Sequence, residues 1–157
     1  MLDVTDTVIR RAGDDDIPAL ARLRRSWLEE EEGPHPDPDF EHRFAAWYLD
    51  ESPRRVTWLA EAGGGPVGTM NLAVVTRMPA PGRTPRRWGY LNNAFVLAAH
   101  RNRAVGRQLL DALLGYATDE GLARVVLRPS VRSVPFYGRA GFVPAQMLMV
   151  RMVHAGD

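Results

Sequence analysis

Residues 90–114 (YLNNAFVLAAHRNRAVGRQLLDALL) constrain the fold more than any other stretch. The apolar run at 94–99 has the length and composition of a strand. Val105, Leu109, Leu110, Leu113, Leu114 and Ala117 then recur at helical spacing. Only residues 100–106 (HRNRAVG) lie between, so a strand must pass into a helix through a tight, basic turn. Such a turn suits an anion. Small residues let backbone amides approach closely, the first helical amides lack intrahelical acceptors, and the helix dipole places partial positive charge at that end.

Around this unit the chain alternates short strands and helices. Residues 8–10 read as an edge strand, and Asp14 or Asp15 as the N-cap of a helix starting near Ile17, where Pro18 suits a first turn. Ile17, Leu20, Leu23, Trp27 and Leu28 share one face of that helix. Three prolines in residues 33–38 force a loop. A second helix over 40–49 carries Phe40, Phe44, Trp47 and Tyr48 on one side. Residues 55–61 and 67–75 form a hairpin about Gly63, Gly64 and Gly65, and a Pro, Gly and Arg-rich loop precedes the strand at 89–97. Gly121 stops the central helix. A strand at 124–128, a short helix at 133–139 and a last strand at 147–153 complete the reading.

The 157 residues suffice for one domain, 1–157, that buries most of its apolar surface. No run is long and apolar enough to span a membrane, and no basic-then-apolar leader precedes the first strand, so the expected location is the cytoplasm. With no cysteine, disulfides and a thiolate nucleophile are excluded; the four His form no ligand pattern, and no metal is expected. Charge is unevenly spread. Residues 29–51 hold nine acids against Arg43 alone, while residues 77–139 hold eleven Arg against Asp111, Asp119 and Glu120. This predicts an anionic ligand on the later half and a cationic one near the earlier half. The Arg excess comes without the aromatic interleaving or recognition helix of a nucleic-acid binder.

Known anion turns can be tested in order. A P-loop would need Gly-Lys-Ser or Gly-Lys-Thr, which is absent, and a dinucleotide fold would want an acid after the next strand, where 124–128 (RVVLR) has none. Arg101, Asn102, Arg103, Ala104, Val105 and Gly106 instead resemble the turn of the GNAT superfamily of acyl-CoA-dependent N-acetyltransferases, Arg or Gln, two residues of any kind, Gly, any, then Gly or Ala. Asn102 and Ala104 depart from it, standing where Gly is common. Residues 130–142 (SVRSVPFYGRAGF) resemble the family's second block, a Ser or Asn, then Phe or Leu before Tyr, then Gly-Phe. The two blocks in this order and spacing carry the resemblance over nearly the whole chain, nearest to bacterial small-molecule acetyltransferases.

That resemblance implies an α/β fold. Its centre is a mostly antiparallel twisted sheet of six to seven strands, two of them splayed to hold CoA, flanked by about four helices. It implies acetyl-CoA as cosubstrate, with the diphosphate on the amides of Asn102, Arg103, Ala104, Val105, Gly106 and Arg107, next to Arg101 and Gln108. The pantetheine arm would lie along Phe95, Val96 and Leu97, with Ser130, Ser133 and Phe136 at the second block. A neutral amine would attack the thioester carbonyl directly, the Val96 amide would hold the oxyanion, and Tyr137 would be the acid for the departing thiolate. Glu30 and Asn93 are the candidates for binding a small-molecule amine, which the acidic region would favour as a cation. Glu29 to Glu32, His35, His100 and Asn93 through a water are open as the base. Trp27, Trp47 and Trp58 are read as core rather than acceptor wall. A different acyl group, a CoA-binding sensor without turnover, and a homodimer all stay open.

Overall fold

The computed structural model describes residues 6–153. The chain divides into two compact units, Met1–Leu127 and Arg128–Asp157. In chain order the first contains β1 (Val8–Arg11), α1 (Ile17–Glu32), α2 (Phe40–Glu51), β2 (Arg55–Ala62), β3 (Gly65–Thr76), β4 (Arg87–Val96), α3 (Val105–Asp119) and β5 (Val125–Leu127). The second contains a 3-10 turn, Val131–Ser133, running into α4 (Val134–Arg139).

The five strands form one sheet in the order β1-β2-β3-β4-β5. The first four are antiparallel neighbours and β5 joins β4 in parallel. The fold is the expected mixed α/β type with a mostly antiparallel sheet and four α-helices, but among the described residues the sheet has five strands rather than six or seven. Residues 147–153 form no strand. Met147, Met149, Val150 and Val153 are 80–100% exposed, so their loose alternation buries no face, and alternation without burial does not select extended structure.

Both faces of the sheet are covered, which is why β2 is buried without a break from Val56 to Ala60. Adjacent residues there serve opposite layers. Leu59 packs with Leu20, Leu23, Tyr48 and Phe95 beneath α1 and α2, whereas Trp58 meets Tyr116 of α3 edge to face at 5.5 Å. Trp58 is thus core, as expected. On the α3 side, Leu109, Leu110 and Leu113 are fully buried. Gly89 lets β4 lie against Leu72, since a Cβ there would stand 2.6 Å from Leu72 Cδ1.

The start of α1 differs from the expected Asp14 or Asp15 cap. Residues 14–16 form a 3-10 turn, and Asp16 precedes the helix. Its carboxylate accepts from the Gly13 amide at 2.8 Å and pairs with Arg10 at 2.7 Å, so the contact that fixes the helix start comes from a β1 side chain. Arg10 and its hydrogen bonds hold the Asp16 carboxyl down at about 2.

Candidate functional site

Beyond β4, Ala98–His100 makes a 3-10 turn and α3 begins at Val105. Asn102 and Ala104 have φ of 59° and 61°, the left-handed region. These are the two positions where glycine was expected. Asn tolerates that region better than most residues; alanine does not, and its conformation costs on the order of 1–2 kcal/mol. Ala104 is nonetheless the N-cap of α3, with its carbonyl accepting from Gln108 at 2.9 Å. Asn102, Arg103 and Ala104 are exposed while Val105 is buried, so the helix is anchored by one side chain and its first amides remain at the surface.

The end of β4 is prepared in a matching way. Its pairing with β5 stops at Leu91 and Leu127, whereas β4 itself continues to Val96. The Leu97 amide bonds the Val67 carbonyl at the end of β3 at 2.8 Å. By strand alternation the Val96 amide and carbonyl both face the other edge, the side β5 has left. Arg101 closes part of that edge. Its Nε donates to the Val96 carbonyl at 2.9 Å, its remaining nitrogens hold the Glu30 carboxylate at 2.5–2.8 Å, and its guanidinium lies 5.6 Å from the Phe95 ring centre. Arg101 and Glu30 therefore pair with each other across a 71-residue separation.

A cavity of about 350 Å³ opens between α1, α2 and β2–β4. Trp27, Phe40, Phe44, Trp47, Tyr48 and Phe95 wall it. Trp27 stacks on Phe95 at 5.9 Å with the planes 11° apart, and Phe44 continues the aromatic surface to Trp47 and Tyr48. Trp27 packs against the buried cluster, as the periodicity implies, and also lines the cavity, whereas Trp47, 38% exposed, is wall rather than core. The polar lining is Thr57, Thr69, Asn71 and Asn93, and the charged lining is Arg24 and Arg43. Asn71 and Thr57 are the buried polar pair, with the Asn71 amide donating to Thr57 Oγ1 at 2.6 Å and Arg55 donating to Asn71 Oδ1 at 3.1 Å. Asn93, in the left-handed region at φ 52°, marks the irregularity where β4 slips register against β3. It lines this cavity. Burial lifts the Tyr48 phenol above its ordinary value, partly offset by Thr57 beside it.

Among the described residues no carboxylate or histidine lines the cavity. The acids of residues 29–51 are largely spent on arginines. Glu29 and Glu41 face Arg25, Asp37 faces Arg43, Asp50 faces Arg54, and Glu51 faces Arg54 and Arg55. Glu31 accepts from the Trp27 indole at 3.0 Å, and Glu32 lies 3.4 Å from His35. The acidic block read from the sequence as an attractant for cations is mostly ion-paired with arginines from outside it. Neither His35 nor any of Glu29 to Glu32 is among the residues that line the cavity.

In the second unit, Ser130 caps the 3-10 turn, its Oγ accepting from the Ser133 amide at 3.3 Å, and the two hydroxyls are 3.1 Å apart. These serines hold each other. Tyr137 of α4 is buried, edge-on to Phe136 at 5.0 Å and to Phe142 at 5.6 Å. The Phe142 and Ala140 amides both bond its carbonyl, with Gly141 at φ 90° turning the chain between them. Burial pushes the Tyr137 phenol above its ordinary value, which keeps it protonated at neutral pH.

A family model described as the acetyltransferase (GNAT) family matches residues 20–142. None of the curated proteins compared matches the chain in sequence. Among solved structures, a "predicted acetyltransferase with acetyl-CoA" from Clostridium acetobutylicum superposes with a TM-score of 0.75 at 21% identity, covering 96% of this chain and 99% of that one. A GCN5-related N-acetyltransferase from Ralstonia eutropha gives 0.71 at 24% identity over 94% and 99%. AAC(6')-Iy, in complex with the bisubstrate analogue CoA-S-monomethyl-acetylneamine, gives 0.70 at 20% identity over 95% and 99%.

Proposed function

The chain belongs to the GNAT acetyltransferase family, and from that premise we propose that it moves an acetyl group from acetyl-CoA to a primary amine held in the aromatic cavity. The family model runs across both compact units, which supports reading residues 1–157 as one catalytic domain. The observation that carries the proposal is the turn before α3, whose left-handed Asn102 and Ala104 leave surface amides at a helix N-terminus directly after the end of β4, which stays paired with β3 but which β5 has left on its other edge.

In this reading the diphosphate sits on the amides of residues 102–107, with Gln108 closing the first helical turn. Arg103 and Arg107 border it, Arg107 from an ion pair with Asp111 at 2.8 Å. Arg101 positions rather than binds, fixing the Val96 carbonyl so that the Val96 amide points to the same edge as the oxyanion donor. The pantetheine arm follows Phe95, Val96 and Leu97. The solved neighbours with acetyl-CoA and with a CoA analogue support this choice of cosubstrate.

The amine lone pair attacks the thioester carbon, the oxyanion collapses, and the C–S bond breaks with its electron pair on sulfur. Tyr137 gives its proton to that sulfur, and the proton lost from nitrogen restores the phenol directly or through water. Ordinary values of about 10 for a phenol and 8.5 for a thiol make the transfer uphill by about 2 kcal/mol. Burial of Tyr137 raises that figure, so the proton moves as the bond breaks rather than before it. Among the described residues no carboxylate or histidine lines the cavity.

Calorimetric titration with CoA tests the turn. The unchanged chain binds CoA, and Gly106→Glu, which sets a carboxylate against the diphosphate, abolishes binding. Retained binding in that variant would remove the turn from the cofactor site.

A further inference from the structure

Resting on the reading of the aromatic cavity as the acceptor site, we propose that the acceptor is an anionic amine, a single aromatic or similarly flat body carrying a carboxylate as well as the amino group, with Arg24 receiving the carboxylate. Among the described residues the cavity lining holds two guanidiniums and no carboxylate. Arg43 is neutralised by Asp37 at 2.6 Å. Arg24 is exposed, has no carboxylate partner among the described residues, and rests 4.6 Å over the face of Trp27. It is a charge fixed by an aromatic ring at the edge of an aromatic pocket.

Aromatic walls can also attract cations, but here the protein's own guanidiniums occupy that role. Arg24 lies over Trp27, Arg25 over Phe40 at 5.0 Å, Arg55 over Trp47 at 5.3 Å and Arg101 over Phe95 at 5.6 Å. Four of the six aromatic residues in the wall thus already carry a positive partner; Arg25, Arg55 and Arg101 are ion-paired with Glu41, Glu51 and Glu30, so the charge that an ammonium or polyamine would meet without an offsetting acid is that of Arg24. The size agrees. About 350 Å³ lies at the small end of the roughly 300–1,000 Å³ of ligand pockets, room for one ring and a short chain rather than an oligosaccharide.

Two primary amines that differ only in the anionic group test this with the full chain, 4-(aminomethyl)benzoate and 4-methylbenzylamine, with CoA thiol release as readout. The carboxylate compound is expected to have a kcat/KM about tenfold higher or more, the order of one charge-assisted hydrogen bond. Arg24→Gln should erase most of that ratio, and Arg24→Lys should restore part of it. A ratio near one, a preference for 4-methylbenzylamine, or a ratio unmoved in Arg24→Gln would overturn the proposal. Should neither amine turn over, fluorescence of Trp27 and Trp47 decides the matter on binding alone, with 4-methylbenzoate binding about tenfold tighter than benzylamine in support and equal or reversed affinity against. CoA calorimetry runs in parallel. Loss of CoA binding with the anion preference intact would fault the acetyltransferase reading, while CoA binding with a cation preference would fault only the acceptor.

Discussion

Replacing Ala104 by glycine isolates the strain in the turn before α3. Ala104 has φ 61° and ψ 4°, and it is exposed, so its methyl group packs on little and its removal sacrifices few contacts. Relief of a left-handed alanine contributes about 1–2 kcal/mol. Against this, glycine gains conformational freedom in the unfolded chain, costing about 0.4–1 kcal/mol. The balance is a net stabilisation of about 0.5–1 kcal/mol, which for a chain of this length corresponds to a rise in Tm of about 1–4 °C. Differential scanning calorimetry measures the rise, and CoA titration of the same protein should give an equal or lower Kd, because the amides stay where they are and the ligand meets less bulk. Ala104→Val is the counterpart, lowering Tm because a β-branched residue tolerates positive φ worst. A fall in Tm for Ala104→Gly would mean that the methyl is packed or that residue 104 is not left-handed, and would refute the reasoning about the turn.

Tyr137→Phe should lower kcat for thiol release by about 100-fold or more with CoA affinity nearly unchanged, and full activity would remove the phenol as the acid. Asp16→Asn should destabilise the fold by about 1–2 kcal/mol near neutrality, a figure discounted because its partner Arg10 is partly exposed. The Asp16 carboxyl is lowered to about 2 in the folded chain, so its contribution is present above its unfolded value near 4 and is lost as pH falls from about 4 towards 2. Urea midpoints across that range should therefore fall less steeply in Asp16→Asn. Gly89→Ala places a methyl group 2.6 Å from Leu72 Cδ1 in a fully buried position and should cost about 1–3 kcal/mol in urea unfolding without a direct effect on CoA affinity.

What the sequence determined by itself was whatever depends on near neighbours along the chain. Helical periodicity located α1, α2 and α3 to within a residue or two, the glycine hairpin located β2 and β3, and departures from the family's glycine pattern singled out Asn102 and Ala104, the two residues of the turn that prove to be left-handed. These features are local because capping, turn conformation and amphipathic spacing are decided over a few residues. The same locality explains the misses. Alternation at 147–153 carried the pattern of a strand without a surface to bury it, and the acidic block 29–51 looked free because most of the arginines it pairs with, Arg25, Arg54, Arg55 and Arg101, lie outside it.

Only the tertiary structure decided which apolar and charged residues face empty space. Trp27 and Trp47 have the spacing of core residues, and nothing in that spacing says that α1 and α2 stand far enough from β3 and β4 to leave a cavity between them. Arg24 and Arg25 are adjacent in sequence and opposite in role. Arg25 is tied to Glu41 and to the carbonyls of His35 and Asp37, whereas Arg24 projects over Trp27 at the cavity wall. Adjacent positions on a helix point about 100° apart, so what each side chain meets is set by the packing of distant elements and not by its neighbours in the chain.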